Sequence, residues 1–319
     1  MGAYIIRRLL IAVIILILVS LIVFFSVRLL PGDPIYIFLG QQAQQGEITQ
    51  EQLDRMRHDY GLDLPLMVQY FRWFGNILKG DFGESMNYRE EVSTLFADRL
   101  PITLHLGILA LIINVIVGTL MGLAAAIRRG TWIDSVSTTL ANIGVCIPVF
   151  WLGYLLMFAF GLNLGWLEIA GYTSPFEDFW LNLRQIIMPV FAMSVTGLAT
   201  TARIMRSSML EVTRQDYIRT AWSKGLRERT VIMKHALKNG LIPVVTLLGM
   251  GIGVIFAGSV LVETVFAIPG MGRLLVTSIF AQDYIVMQSS ALIIASIILI
   301  SNLLVDISYG WLDPRIRYG

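Results

Sequence analysis

Four lysines, three histidines and two carboxylates set in apolar runs are the side chains of this 319-residue sequence that invite a search for chemistry. None falls into a recognisable pattern. A phosphate-cradling P-loop needs Gly-Lys followed by Ser or Thr. Here Lys79 and Lys224 precede glycine, Lys234 precedes histidine and Lys238 precedes asparagine. His58, His105 and His235 fall in three separate compartments of the topology derived below, so they form no common ligand set. No His-Glu-x-x-His helix, Gly-x-Ser-x-Gly elbow or Ser-x-x-Lys nucleophile is present. The lone Cys146 excludes a disulfide framework and a cysteine metal centre. Catalysis is not expected, nor is any cofactor or metal on this chain. Gly249, Gly251, Gly253 and Gly258 have the look of a phosphate loop, but inside an apolar run small residues serve close helix packing. Glu263 and Asp306 lie near the ends of apolar runs. A proton-coupled carrier needs charge nearer the bilayer midplane, which weighs against a self-contained secondary carrier.

The elements that carry these residues are transmembrane helices. Hydrophobic residues make up 56% of the chain, charged residues 14%, and the mean hydropathy is +0.71. Soluble domains carry roughly 25% charged residues, and no single core could bury this apolar surplus. Six segments reach the length of about 20 residues that a hydrocarbon core requires: 8–29, 102–127, 134–160, 186–206, 241–265 and 285–310. Their runs are continuous and not alternating, so the fold class is all-α. Arg7 and Arg8 precede an apolar run at 9–27 that is longer than a signal-peptide core and has no small-residue cleavage site, so it reads as a retained first helix.

Lys and Arg placement sets the orientation. With the N-terminus inside, Arg7, Arg8, Arg128, Arg129, Arg315, Arg317 and nine cations between Arg203 and Lys238 are cytoplasmic, whereas the short outer segments hold only Arg28, Arg184 and Arg273. Both termini are expected in the cytoplasm. The outer segment 31–100 reads as helical. Thr49-x-x-Gln52 is a capping-box pattern for a helix ending at Gly61. A second helix starts near Pro65, ends at Gly80, and groups Leu66, Tyr70, Phe71, Phe74, Ile77 and Leu78 on one face. Trp132, Trp151, Trp166 and Trp311 near span ends read as interfacial anchors.

The cytoplasmic loop 207–240 is far longer than a turn between two spans needs. Thr213-x-x-Asp216 suggests a cap, with the helix starting at Arg214 or Tyr217. Tyr217 and Ala221, four apart, share a face, and Ala221 permits close backbone approach. Gly225 suits a left-handed helix stop. A second helix restarts at Arg227 and climbs to Pro243. A bulky and a small residue on one short helix make a peg for a socket, the bland alternative being ordinary positive-inside charge.

These residues resemble a known family. Asp216-Tyr217-Ile218-Arg219-Thr220-Ala221, Lys224-Gly225-Leu226, His235-Ala236-Leu237-Lys238-Asn239 and Ile242-Pro243-Val244-Val245-Thr246 are similar to the coupling region of permeases of the dipeptide/oligopeptide ABC importer family. So are Leu30-Pro31-Gly32-Asp33-Pro34, Tyr60-Gly61-Leu62-Asp63 with Pro65, Gly80-Asp81-Phe82-Gly83, and Glu263-Thr264-Val265-Phe266 with Pro269-Gly270-Met271-Gly272-Arg273. Asp283-Tyr284, Asn302-Leu303-Leu304-Val305-Asp306 and Asp313-Pro314-Arg315 complete the match in order along nearly the whole chain. Of the broader importer signature, Glu-Ala-Ala, three intervening residues and then glycine, only Ala221 and Gly225 match, and Trp222 stands where the subfamily more often has Arg or a small residue.

The resemblance implies a B-type inner-membrane subunit with a type I importer core (spans 2–6). The domains would be an N-terminal helix (1–30), a helical extracytoplasmic insertion (31–100) and a permease domain (101–319). It implies a bacterial or archaeal inner-membrane assembly with a C-type second permease, two cytoplasmic ATPases that hold the ATP and Mg, and an extracytoplasmic peptide-binding protein. Nucleic acid is not an expected partner. Transport of di- or oligopeptides would proceed by alternating access. The ATPase-coupling residues would be Arg214, Asp216, Tyr217, Arg219, Thr220, Ala221, Lys224, Gly225, Leu226 and Pro243. Segment 263–273, with Glu263, Phe266, Pro269 and Gly270, is the candidate outer gate, against a plain interfacial turn. Relatives carrying glutathione, nickel chelates or oligosaccharides keep a non-peptide ligand open.

Overall fold

The computed structural model describes residues 2–29, 50–59 and 61–312. The motif residues at 30–34, Thr49, Tyr60 and those at 313–315 lie outside the described residues, as do the side chains of Asp306 and Trp311 and the surroundings of Gly249, Gly251 and Gly258. Among the described residues, regular secondary structure is helical, apart from one isolated bridge between Glu84 and Glu91. In chain order the helices are α1 (Gly2–Arg28), α2 (Gln50–Asp59), α3 (Leu66–Leu78), α4 (Val92–Ile127), α5 (Trp132–Cys146), α6 (Val149–Asn163) and α7 (Phe179–Val212). They continue with α8 (Asp216–Ser223), α9 (228–240), α10 (Ile242–Val265), α11 (Met271–Phe280) and α12 (Tyr284–Leu312).

Among the described residues, Ile5–Arg28, Val92–Ile127, Phe179–Val212 and Tyr284–Leu303 are long and apolar enough to cross a membrane, and α5 with α6 make a fifth if the bent pair is one span. The sequence suggested one continuous helix over 134–160. The helix instead breaks at Ile147–Pro148 and turns by 107°. Proline's ring disfavours helical backbone in the residue before it, and Ile147 is extended at φ −77°, ψ 123°.

The contacts divide the chain into two units, Thr103–Ile268 with the chain from Ser301, and Gly2–Ile102 with Pro269–Ile300. In the first, α7 is the central element. Asp178 caps it, its carboxylate accepting from the Leu181 N–H at 2.9 Å, and it runs about two turns beyond the expected 186–206 at each end. Helices α4, α5, α6 and α10 all pack on it. The approach of α4 is set by Gly118 and Gly122, four residues apart on one face. A β-carbon on Gly118 would stand 2.9 Å from the Leu198 carbonyl, and one on Gly122 would collide with Ala202 and Met205. Gly144 of α5 meets Val195 and Ala199 in the same way. Between lipid-embedded helices, where water drives nothing together, such close approach supplies the dispersion contacts that hold the pair. A buried polar clasp joins them: the Thr201 hydroxyl donates to Asn114 Oδ1 at 2.7 Å, beside a π-helical turn at Asn114–Gly118.

The C-terminal end of α7 is tied to α5 by an ion pair that no local feature of the sequence marks. Arg206 meets Asp134 through two parallel bonds, Nε to Oδ1 at 2.6 Å and Nη2 to Oδ2 at 2.9 Å, and the Gly130 N–H donates to Oδ2 at 3.0 Å. Asp134 is buried and Arg206 half-buried.

In the second unit, α1 and α3 meet through rings. Tyr70 is buried, its hydroxyl 2.8 Å from Ser20 Oγ, and its ring packs edge-on to Phe24. The single apolar face expected for α3 is therefore divided. Tyr70, Trp73, Phe74 and Ile77 turn inward or part-way in, whereas Leu66, Phe71 and Leu78 stay exposed. Gly61 and Gly80 do end α2 and α3 with φ of +63° and +85°.

Two outcomes test this packing. Gly122→Leu forces α4 off α7 and is expected to cost about 1–3 kcal/mol or more, read as a lower thermal midpoint of the purified protein. Gly75→Ala, in a helix with nothing within 4 Å of the added carbon, should leave the midpoint unchanged or raise it. Asp134→Ala strands the Arg206 guanidinium and is expected to cost about 2–3 kcal/mol. A double-mutant cycle with Arg206→Met should recover a large share of that loss, and strictly additive effects would refute the pair.

Candidate functional site

Loop 207–240 is built outward from the end of α7. The Thr213 hydroxyl donates back to the Leu210 carbonyl at 3.2 Å, so it closes α7 and does not cap the next helix. The capping box expected from Thr213 and Asp216 is absent for that reason. Gln215, extended at φ −70°, ψ 150°, precedes α8 without a side-chain cap, and the helix begins at Asp216. It stops where glycine is required: Gly225 has φ +73°, and its N–H donates to the Trp222 carbonyl at 2.9 Å. Nothing lies within 4 Å of a β-carbon there, so backbone conformation and not space is what selects glycine.

Helix α8 is amphipathic in an unexpected sense. Ile218, fully buried, and Ala221, 6% exposed, enter a core made by Leu123, Met205, Met209, Val231, Ala236 and Val244. Ala221 is thus turned into its own chain, and the expectation that it shares an outward face with Tyr217 is corrected. The chain's own core claims the small residue, with α8 packed against the start of α9. Ile218, which carries most of this burial, was not singled out from the sequence, although its i,i+3 spacing from Ala221 was visible. Leu226 packs partly buried against the same cluster.

The remaining face is polar and open. Asp216, Tyr217, Arg219, Thr220, Trp222 and Lys224 are exposed. Tyr217 is held by the Asn239 amide, which donates to its hydroxyl at 2.8 Å. Arg219 and Asp216 pair at 3.5 Å in the open, a contact of little energetic weight. Arg214 sits in the turn before α8, its N–H bonded to the Glu211 carbonyl at 3.2 Å. Helix α9 starts at Glu228 after extended Arg227, and Gly240 lets it pass Met209, whose Cγ would be 3.2 Å from an added β-carbon. Pro243 occupies the first turn of α10, where its missing N–H costs no helical bond.

The turn at 263–273 divides between the two units. Glu263 and Phe266 belong to the first, both buried. The Thr103 hydroxyl donates to Glu263 Oε1 at 2.7 Å, and the Ile268 N–H to the Glu263 carbonyl at 2.8 Å. The Phe266 carbonyl accepts from Gly171 N–H at 3.1 Å, and its ring lies 3.1 Å from where a Gly153 β-carbon would stand. Ala267 takes φ +53°, a left-handed conformation unusual outside glycine. Pro269 and Gly270 begin the second unit, Gly270 preceding α11 at φ −99°.

Residues 118–318 match the family of inner membrane components of binding-protein-dependent transport systems, and residues 1–107 match the N-terminal region of the same components. A Brucella abortus (strain 2308) protein named for a peptide transport system permease is 41% identical over 319 residues, covering 100% of each chain. The di/tripeptide transport system permease protein DppB of Pseudomonas aeruginosa (strain UCBPP-PA14) is 37% identical over 320 residues, covering 94% of each. Among solved structures, an inward-facing MetNI methionine ABC transporter chain aligns with a TM-score of 0.57 at 15% identity, over 69% of this chain and 96% of that one. That fold likeness and the family match agree with the helical architecture above. The chain belongs to the family of binding-protein-dependent transport system inner membrane components.

Proposed function

We propose that this chain is one permease subunit of an ATP-driven importer of di- and oligopeptides, and that α8 is where force from the ATPases enters it. The relatives named for peptide transport, alike over their full lengths, support the substrate class. The observation that carries the mechanism is the two-sided α8. One side, Ile218 and Ala221, is buried against α9 in a cluster that also takes in Met205 and Met209 of α7, and the other presents Tyr217, Arg219, Thr220 and Trp222.

A load applied to the outer face of α8 passes to α7 through buried apolar contact. From there it passes to α4 at Gly118 and Gly122 and to α5 at Asp134. Nucleotide on the partners shifts the chain between two openings only through its different affinity for them. ATP and Mg belong to the ATPases. A second, C-type permease completes the pathway, and an extracytoplasmic binding protein delivers the peptide.

In this reading α10 and the bent α5–α6 pair each cross once, giving six spans with both termini cytoplasmic. The chain divides into an N-terminal span (1–30), an outer insertion (31–100) and the permease domain (101–319). Segment 263–273, with Glu263, Phe266, Pro269 and Gly270, is the candidate outer gate, and its Glu263–Phe266 corner is buried and braced by Thr103 and Gly171.

Tyr217→Ala and Arg219→Glu should leave thermal stability intact, since both side chains are on the open face. Truncating an interface Tyr or Arg costs about 2 kcal/mol, so peptide-stimulated ATP hydrolysis and uptake in reconstituted vesicles should fall by more than about tenfold. Full coupling in both variants would sink the assignment of this face. Gly225→Ala introduces about 1–2 kcal/mol of backbone strain and should loosen coupling less than Tyr217→Ala. Ala221→Glu buries a charge in the core and is expected to abolish stable expression, visible as loss of the protein from membranes.

A further inference from the structure

The second unit holds a cavity of about 410 Å³, enclosed by the outer end of α1, by α3, by the turn at 81–86 and by the first turns of α12. Its lining is polar where burial should forbid it. Gln69 and Gln288 are only 8% and 4% exposed, yet among the described residues Gln69 Oε1 and Gln288 Nε2 have no hydrogen-bond partner, and neither has the buried Nε of Arg28. The Gln69 amide is fixed in direction, because its Nε2 donates to the Leu62 and Leu64 carbonyls at 3.2 and 2.7 Å. Its oxygen is therefore committed as an acceptor. Arg28 touches the Phe24 ring at 5.3 Å, and among the described residues no carboxylate pairs with it. Exposed Arg72, Asp81 and Glu84 complete the lining.

Buried polar groups in folded proteins are nearly always satisfied, and those that are not ask for an explanation. Donors of a guanidinium and an amide suit a carboxylate, which takes charge-assisted bonds from both. A committed carbonyl acceptor suits a peptide N–H, and exposed carboxylates suit an ammonium. The volume lies within the ordinary range for small-molecule sites.

We propose that this cavity is a docking site for a short zwitterionic peptide, its C-terminal carboxylate on Arg28 and Gln288, an amide N–H on Gln69 and its α-ammonium near Asp81 and Glu84. The inference rests on the reading of the chain as a peptide importer subunit with the 31–100 segment outside the membrane. It adds a station on the permease itself, separate from the binding protein. A phosphoethanolamine lipid headgroup carries the same two charges, and the test separates the two sources.

The experiment uses the complete transporter in lipid nanodiscs, without nucleotide or binding protein, and equilibrium dialysis of labelled trialanine. Saturable binding is expected, with C-amidated trialanine at least about tenfold weaker because it lacks the charge that Arg28 receives. Arg28→Gln should erase that discrimination and Gln288→Leu should weaken binding of the free acid. Equal affinity for acid and amide on the unaltered protein overturns the proposal without recourse to any variant. Unchanged binding in both variants, with partner subunits still co-purifying, also overturns it. Nanodiscs of phosphatidylglycerol alone are compared with others containing phosphatidylethanolamine, and loss of trialanine binding in the latter assigns the cavity to lipid and overturns it. Uptake of trialanine with ATP and binding protein is measured in parallel. Uptake without docking rejects this site and leaves the importer reading standing, whereas absence of uptake rejects the importer reading itself.

Discussion

Between α4 and α7 stand two glycines where any other side chain would stand in the way. At Gly118 and Gly122 the backbones approach until a single added carbon would overlap Thr201, Ala202 or Met205. Lipid offers no solvent force to press helices together, so the pair is held by dispersion across that contact and by the Thr201–Asn114 bond within it. Everything else in the first unit takes its position from α7. Gly144 brings α5 against Val195 and Ala199, Met205 and Met209 join the cluster in which α8 buries Ile218, and Asp134 grips Arg206 one position along. The helix is thus held on several sides at once.

The end of α8 at the left-handed Gly225, the restart after Arg227 and the place of Pro243 in α10 were legible because glycine stops and proline starts are local and act within a turn, whereas the cap expected from Thr213 and Asp216 did not form and α8 begins at Asp216. What the sequence left hidden depended on which side of a helix has a partner. In a soluble helix the apolar stripe marks the core, but in this chain lipid, core and partner all accept apolar residues. Periodicity therefore paired Tyr217 with Ala221, while packing paired Ile218 with Ala221. The same ambiguity merged two faces of α3 that Ser20 and Phe24 divide. Long-range pairs were hidden outright, since nothing near Asp134 announces an arginine 72 positions away. The break at Pro148 is different. Its signal was present in the residue preceding proline and was outweighed by the continuous apolar run around it.

Two of the family-like stretches, Gly80-Asp81-Phe82-Gly83 and Asp283-Tyr284, prove to be one piece of structure within the second unit. Buried Asp283 accepts from the Ser85 hydroxyl at 2.6 Å and the Asn87 N–H at 3.1 Å, and it also takes the Val286 N–H at 3.2 Å in the first turn of α12. Gly83, at φ +82°, lies 3.2 Å from Ile285 measured from where its β-carbon would be, and the Phe82 ring meets Phe96 edge-on. Asp283 thus ends one task as a helix cap and performs a second as the anchor of a turn almost two hundred residues earlier. A substitution such as asparagine would retain the cap while losing the negative charge that three donors share.

That anchoring explains how the cavity of the second unit can tolerate buried polar atoms. A loop free to move would collapse onto Gln69 and Gln288 or let their amides swing toward other partners, and the conformational entropy of either escape favours it. Here Asp283 fixes the turn at 85–87, Tyr70 fixes α3 against α1, and the Leu62 and Leu64 carbonyls fix the Gln69 amide. The unsatisfied groups are therefore maintained by contacts made elsewhere in the same unit, a cost of the kind that folded proteins carry at binding sites. Rigidity of the walls also bears on affinity, because a preorganised cavity spends little ordering entropy when a ligand arrives. The first unit is braced around α7, and the second is braced around its polar cavity; both follow from side chains fixed by contacts within their own unit.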